Sequence, residues 1–403
     1  MNEIQLCLSE MQAFFQSGTT LGISWRKEQL KRLKDGIRSY EKQILNALYE
    51  DLGKTDFEGF ATELGIVYTE IDEHLKHLDA WTGRHRVKSS LLSFPSKAYT
   101  IAQPLGIVLI MSPWNYPFQL TIAPLISAIA AGNCVILKPS RYSGHTALVI
   151  EELLSKLFYS NHVATFQGGA EMNRELLQHR YDHIFFTGSP QVGRLVMESA
   201  AKHVTPVTLE LGGKSPVIVE ADADIGLAAR RIIWGKCLNA GQTCVAPDYV
   251  LVERKVHNAL LEQMKTAITT MFGSDPLHCS DLGCIINEKH FSRLIELFSY
   301  GTLAWGGQID PKTRRIAPTI ITDPQLDSAL MQEEIFGPIL PLVPYDTFEQ
   351  ALAFVQNREH PLALYCFTNN KEHQKQILRS LSFGGGCIND VVMHLSNSAL
   401  PFG

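Results

Sequence analysis

"GIVLIMSPWNYPFQLTIAPLISAIAAGNCVILKPS", residues 106–140, sets a strand-length apolar run, then a helix-length segment, then a second apolar run. The runs GIVLIM and CVILK predict buried strands, because a strand covered on both faces is apolar throughout instead of alternating. The segment between them, residues 117–131, suits a crossover helix, with Pro117 near its first turn and Gly132 just past its end. The same alternation continues through VATFQ, HIFFT and PVTLEL, with helix-length segments at residues 142–159, 171–178 and 190–203. Five strands joined by helices predict a Rossmann-type, doubly wound α/β sheet with a parallel core. Sheets of this kind bind nucleotides beyond the carboxyl ends of their strands.

On the N-terminal side, Leu30, Leu33, Ile37, Tyr40, Ile44 and Leu48 recur at three- and four-residue steps amid charges, which predicts an amphipathic helix over residues 25–50. A second helix is expected over residues 61–81, and a β-hairpin over residues 86–103, around Phe94, Pro95 and Ser96. A second α/β lobe begins near Gly213. It should contain a helix in DIGLAARRIIWGKCL, a strand in YVLVE, a helix over residues 255–271 and strands in PILPLV and ALYCF.

A chain of 403 residues with 45% hydrophobic and 19% charged residues is long enough for two or three lobes and has the composition of a globular protein. The formal charge of -5 lacks the basic excess that a phosphate backbone demands, so a small substrate is expected rather than nucleic acid. The start shows no signal-peptide pattern and no long apolar run follows, which points to the cytoplasm. The eight cysteines, at 7, 134, 237, 244, 279, 284, 366 and 387, form no Cys-x-x-Cys pair and no zinc spacing, so reduced thiols and no metal are expected.

Four motifs could carry chemistry. SPWNYP follows a sheet strand and places Asn115 on the ligand-binding rim, as an oxyanion donor or as a plain Asx turn. In FFTGSPQVG, Gly188 and Ser189 form a turn into a helix that includes Gly193; phosphate could rest on that helix N-terminus, or the turn could be an ordinary one. LELGGKSP ends a strand at Glu210, either a general base or a solvated carboxylate. NAGQTCVAPD presents Cys244 among small residues after a helix, a nucleophile or one more small buried hydrophobe.

With MSPWNYPF, FFTGS, VTLELGGKSP, NAGQTCVAPDY, EEIFGP and LPFG in that order, the chain resembles the aldehyde dehydrogenase superfamily, and within it the class 3 or fatty-aldehyde branch. The resemblance spans nearly the whole chain. It implies an aldehyde dehydrogenase-like fold with a five-stranded parallel cofactor domain (residues 1–85 and 104–211) and an α/β catalytic domain (212–382). A small β hairpin (86–103), with residues 383–403, would serve oligomerisation as a homodimer. It implies that Cys244 attacks the aldehyde, that Asn115 and the Cys244 backbone N–H hold the oxyanion, that hydride leaves for a nicotinamide, and that Glu210 activates the water that hydrolyses the thioester. Lys138 would meet the adenosine ribose, Gly188, Ser189 and Gly193 the pyrophosphate, and Glu334 and Phe336 the nicotinamide end of NAD or NADP, with Trp114 a further cofactor-binding residue. The substrates implied are medium or long aliphatic, or aromatic, aldehydes, with Trp234, Tyr116 and Phe336 as apolar lining.

The chain departs from the family in two places. Arg141 stands where many relatives carry a glutamate, and an arginine there favours a 2′-phosphate where a carboxylate would repel it, so NADP should be accepted. The sequence stops at SALPFG, where relatives continue with more glycines and a C-terminal segment that packs near the active site and dimer interface; either that tail is missing from the sequence, or cofactor closure and dimerisation lack a segment that relatives have. Two other readings compete: acyl transfer to coenzyme A, against which Glu210 argues, and a non-catalytic homologue, against which the full catalytic set argues.

Overall fold

A computed structural model describes residues 2–403. Two compact units are present: the first runs to Asp51 and from Asp56 to Glu210, and the second comprises Leu52–Thr55 and Leu211–Gly403.

In the first unit, β1 (His85–Val87) and β2 (Ala98–Thr100) form the expected antiparallel hairpin. Leu91 and Leu92 at its turn are almost fully exposed, as is most of Phe94. The five predicted strands follow as β3 (Ile107–Met111), β4 (Cys134–Lys138), β5 (Val163–Thr165), β6 (His183–Gly188) and β7 (Val207–Leu211). They form one sheet in the order β5-β4-β3-β6-β7, and the β3–β4, β3–β6 and β4–β5 pairs are parallel. The chain starts at β3, winds outward to β5 and returns to β6, so the strand order reverses beside β3, where such sheets bind ligands.

The helix Ile23–Leu52 buries Leu30, Leu33, Ile37, Ile44 and Leu48, the stripe expected from the sequence, in one core with Val108 of β3 and with Ile122, Leu125 and Ile129 of the helix Gln119–Ala131. Each such side chain contributes about 1.5–3 kcal/mol when fully buried.

The second unit is built on β8 (Pro216–Val219), β9 (Tyr249–Glu253), β10 (Thr302–Trp305), β13 (Thr319–Thr322), β14 (Ile339–Tyr345), β15 (Ala363–Phe367) and β16 (Gly385–Ile388), with β11 (Ile309–Asp310) and β12 (Arg315–Ile316) as a separate small pair. The order is β10-β13-β14-β9-β8-β15-β16, parallel at every pair except β10–β13. The helix Ile225–Cys237 covers one face, burying Ala228, Ile232 and Ile233 against Val217, Val250 and Tyr365. It ends at the loop that carries Cys244.

Candidate active site

In the first unit the motif residues gather at the carboxyl ends of the strands. Past β3 the chain stays paired for one more residue, Ser112 donating its N–H to Lys138 O at 3.2 Å. The Ser112 hydroxyl contacts Thr121 Oγ1 at 2.6 Å, and Thr121 in turn donates to Pro117 O at 2.6 Å. At the far end of the loop, the buried carboxylate of Glu63 accepts from Phe118 N at 2.8 Å and Gln119 N at 3.0 Å. A carboxylate at a helix N-terminus satisfies orphan N–H groups and complements the dipole. The loop is therefore tied at both ends, with Asn115 buried and Trp114 half-buried between them.

At the end of β4, Lys138 is buried and donates Nζ to Pro139 O at 2.8 Å. Burial, and then the charge of Arg141, push its ammonium down to about 8. Arg141 is exposed; its guanidinium lies 5.1 Å from the Tyr142 ring centroid and against Gly169. At the end of β6, Gly188 leads into Ser189, which caps the helix Pro190–Ala201 by accepting from Val192 N at 3.4 Å; Gly193 is buried in its first turn. Glu210 is the penultimate residue of β7, half-buried, and burial pushes its carboxyl above the ordinary range.

In the second unit, the Cys244 loop is a folded object. Asn239 and Ala240 adopt left-handed conformations, with φ of 52° and 51°. Gln242 then locks the turn: Nε2 donates to Asn239 O at 3.1 Å and to Cys284 O at 3.0 Å, while Oε1 accepts from Ile286 N at 3.0 Å. Tyr365 Oη donates to Val245 O at 2.6 Å just past the thiol. Cys244 itself is half-buried. Burial pushes the thiols of Cys7, Cys134, Cys237, Cys284, Cys366 and Cys387 up, which disfavours the reactive thiolate at those positions.

The EEIFGP loop packs directly on this turn. A Cβ at Gly241 would collide with the Gly337 carbonyl and stand 2.9 Å from Pro338 N, and Gly241 has a φ of +76°. Gly241→Ala therefore combines backbone strain with a clash against main chain, together roughly 2–6 kcal/mol. Thermal unfolding should show a lower midpoint for it, and a midpoint equal to wild type would contradict this packing.

Charged side chains that sequence reasoning did not single out hold the same loop. Asp248 Oδ1 accepts from Ile335 N at 3.0 Å and its other oxygen pairs with Lys214. Lys214 also donates to Leu330 O at 2.8 Å and Glu333 O at 2.9 Å. Arg293 donates to Glu334 O at 3.3 Å and to Ile335 O. Asp248 closes the quoted motif NAGQTCVAPD and Lys214 stands in LELGGKSP, but neither motif shows what the charge would meet. Phe336 is held at a φ of 54°, unusual for an aromatic residue.

Glu334 keeps some surface exposure, yet its carboxylate end is tucked onto Gly212, where a Cβ would overlap it. Desolvation of that end, followed by the negative charge of Asp248, pushes the carboxyl up to about 8, against the pull of the Gly213 N–H, Lys214 and Lys236.

A dinucleotide fits the first unit on the chemistry of its donors: one cation at the end of β4, a second three residues past it and a helix N-terminus past β6 are what phosphates need. A doubly wound sheet with that rim, and a second α/β unit that holds a thiol on a braced loop, define a cofactor-dependent thiol enzyme. The chain belongs to the aldehyde dehydrogenase family, whose family model matches residues 2–403. It is 45% identical to 4,4'-diaponeurosporen-aldehyde dehydrogenase of Staphylococcus aureus, over 100% of this chain and 88% of that protein. It is 43% identical to the dimeric NADP-preferring aldehyde dehydrogenase of Rattus norvegicus, over 100% of this chain and 89% of that one. Other relatives carry the family 3 name, as the resemblance to the class 3 branch implied. A solved structure described as the substrate-bound state of Staphylococcus aureus AldH superposes with a TM-score of 0.98 at 45% identity, covering 100% of this chain and 88% of that one. The protein is an NAD(P)-dependent oxidoreductase that acts on aldehydes. Among the described residues, no helix is long and apolar enough to cross a membrane.

Proposed function

We propose that this enzyme oxidises medium or long aliphatic, or aromatic, aldehydes to carboxylic acids in the cytoplasm, preferring NADP, with the first unit binding the dinucleotide and the second carrying the nucleophile. The observation that carries the assignment of roles is the interlock of Gly241 with Gly337, which makes the Cys244 turn and the Glu334–Phe336 loop one braced piece. A nucleophile and the residues that orient a cofactor benefit most from such shared rigidity.

The Cys244 thiolate adds to the aldehyde carbon and forms a thiohemiacetal, while the Asn115 amide and the Cys244 N–H donate to the alkoxide oxygen. The bound nicotinamide supplies the two-electron acceptor that turns this thiohemiacetal into a thioester. Glu210 then takes a proton from water; the hydroxide adds to the thioester carbonyl, the C–S bond breaks, and the acid leaves with Cys244 again a thiolate. Lys138 and Arg141 hold the adenosine ribose and its 2′-phosphate, Gly188, Ser189 and Gly193 the pyrophosphate, and Trp114, Glu334 and Phe336 the nicotinamide end. One relative is called a dehydrogenase of a diaponeurosporen aldehyde, and the name of another, called dimeric, favours a homodimer. The exposed Leu91, Leu92 and Phe94 of the hairpin suit that dimer contact.

A panel of aldehydes of increasing chain length, assayed with both cofactors and without coenzyme A, tests the substrate class. Activity confined to short polar aldehydes, or strictly requiring coenzyme A, would overturn it. The cofactor preference rests on Arg141, whose charge is felt at Lys138. Arg141→Glu replaces a phosphate partner by a repelling carboxylate and should lower the NADP-to-NAD ratio of kcat/KM by roughly 10- to 100-fold. A ratio equal to wild type would remove Arg141 from cofactor selection.

A further inference from the structure

The helical segment that carries Glu63 is not regular. Between Asp56–Gly59 and Gly65–Thr82, residues Phe60–Leu64 form a π-turn, in which the Gly65 N–H reaches back to Phe60 O. Wide turns of this kind are rare and often mark functional positions. Glu63 stands on the buried stripe of Val67, Ile71 and Leu78, and it is itself 0% exposed. A carboxylate in such a place is costly unless it is well hydrogen-bonded. Its Oε2 accepts from Phe118 N at 2.8 Å and from Gln119 N at 3.0 Å. The helix Gln119–Ala131 has no cap of its own, because Phe118 stands at its N-cap position and offers no acceptor. Borrowing the acceptor from Glu63 lets residue 118 be a phenylalanine buried in the core beside Ile122. Phe118 follows Asn115 by three residues, and the loop between has little slack. Pro113 and Pro117 fix φ on either side of Asn115, Tyr116 O accepts from Leu120 N at 2.9 Å, and Ser112 is tied to Thr121. A shift of the helix start is therefore passed on to Asn115.

We propose that Glu63 is a positioning residue for the reaction: by gripping the first turn of the helix after the SPWNYP loop, it sets where the Asn115 amide stands. This rests on the oxyanion role given to Asn115 above. An oxyanion donor works at about 2.7–3.1 Å from the charge it meets, and a misplacement of about 1 Å costs on the order of 10^2 in rate. Glu63 touches neither substrate nor cofactor in this role. It acts through Asn115 alone, so its removal should cost nothing once the Asn115 amide is gone.

A double-mutant cycle on kcat for aldehyde oxidation, in the full chain, tests this. Asn115→Ala alone should lose roughly 10^2- to 10^3-fold. Glu63→Leu, which removes the acceptor, should lose at least about tenfold in kcat while NADPH affinity, followed by fluorescence, stays within about threefold of wild type. Glu63→Gln, which keeps an oxygen in the same place, should recover most of that loss. In the Asn115→Ala background, Glu63→Leu should cost less than about twofold. Should Glu63→Leu fail to fold, Glu63→Asp takes its place in the cycle: its carboxylate is one methylene shorter and draws the helix start back, and the same non-additivity is expected. Asp51 supplies the comparison, because it caps the helix Gly144–Leu157, after β4, by accepting from His145 N at 3.1 Å and Thr146 N at 2.8 Å. Asp51→Asn should give one and the same kcat ratio with and without Asn115. A Glu63→Leu variant with wild-type kcat, or a loss at Glu63 that persists in full in Asn115→Ala, overturns the proposal and leaves the oxyanion role of Asn115 standing. A loss at Asp51 that also vanishes in Asn115→Ala overturns it too, since the effect would then belong to any buried cap. Asn115→Ala with wild-type kcat removes the oxyanion role, and the positioning role of Glu63 with it.

Discussion

Cys244→Ala should lose aldehyde oxidation by a factor on the order of 10^4 to 10^6 in kcat while leaving NADPH affinity within about threefold of wild type. The size follows from the chemistry, because without the thiol no covalent intermediate forms and no other step can be reached. Neither thiol that shares its hydrophobic cluster can take over. Cys237, seven positions earlier, is buried and pushed up to about 12, so it stays protonated at any working pH. Cys387 is also pushed up, by burial first. The alanine should fold, since Cys244 is half-buried and the turn around it is held by Gln242, Asn239 and Tyr365, not by the sulfur. Aldehyde-dependent NADPH formation is the measurement, together with the mass of the protein after incubation with aldehyde and NADP. An alanine variant that keeps more than about a thousandth of wild-type activity, or a wild-type protein whose acyl adduct maps elsewhere, would place the nucleophile at another residue.

The strands and crossover helices of the first unit were legible because each carries its own signal. A run such as CVILK is apolar throughout and ends at turn residues, and burial on both faces of a parallel sheet demands that pattern. The order of strands in the second unit was less accessible. β8 begins at a proline and has four residues, β16 is half glycine, and neither has enough side chains to declare a period. The candidate site could be proposed from the sequence for the same reason: Asn115, Glu210 and Cys244 stand at or just past the ends of elements, and ends are marked locally. What braces them is set by distant partners. Glu63 caps a helix that starts 56 positions later, Asp248 holds Ile335 across 87 positions, and Leu52–Thr55 joins the second unit although it continues a helix of the first. A hydrophobic period records that a residue is buried. It does not record what the residue meets, and Lys236, a lysine on a helix face that a charge pattern would give to solvent, is the sharpest example.

Glu210→Gln should separate the two halves of the reaction. The amide is isosteric but cannot take a proton from water, so hydrolysis of the thioester should slow by roughly 10^2- to 10^4-fold while attack by Cys244 proceeds. The expected record is a burst of NADPH close to one equivalent per active site, followed by a slow steady state, with the acyl-enzyme visible by mass. The pH profile supplies the sign. Burial raises the Glu210 carboxyl, so the proton-free base is lost as pH falls, and the acid limb of the wild-type rate should lie above the value of about 4.3 for an ordinary glutamate. In the glutamine variant that limb should vanish from the steady state, because the group that titrates is gone. Hydroxylamine offers a sharper discrimination. It attacks a thioester without help from a base, so it should restore turnover in Glu210→Gln and do little for wild type. A variant with no burst would show that Glu210 acts before the thioester forms, and its role would then move from activating water to ionising Cys244.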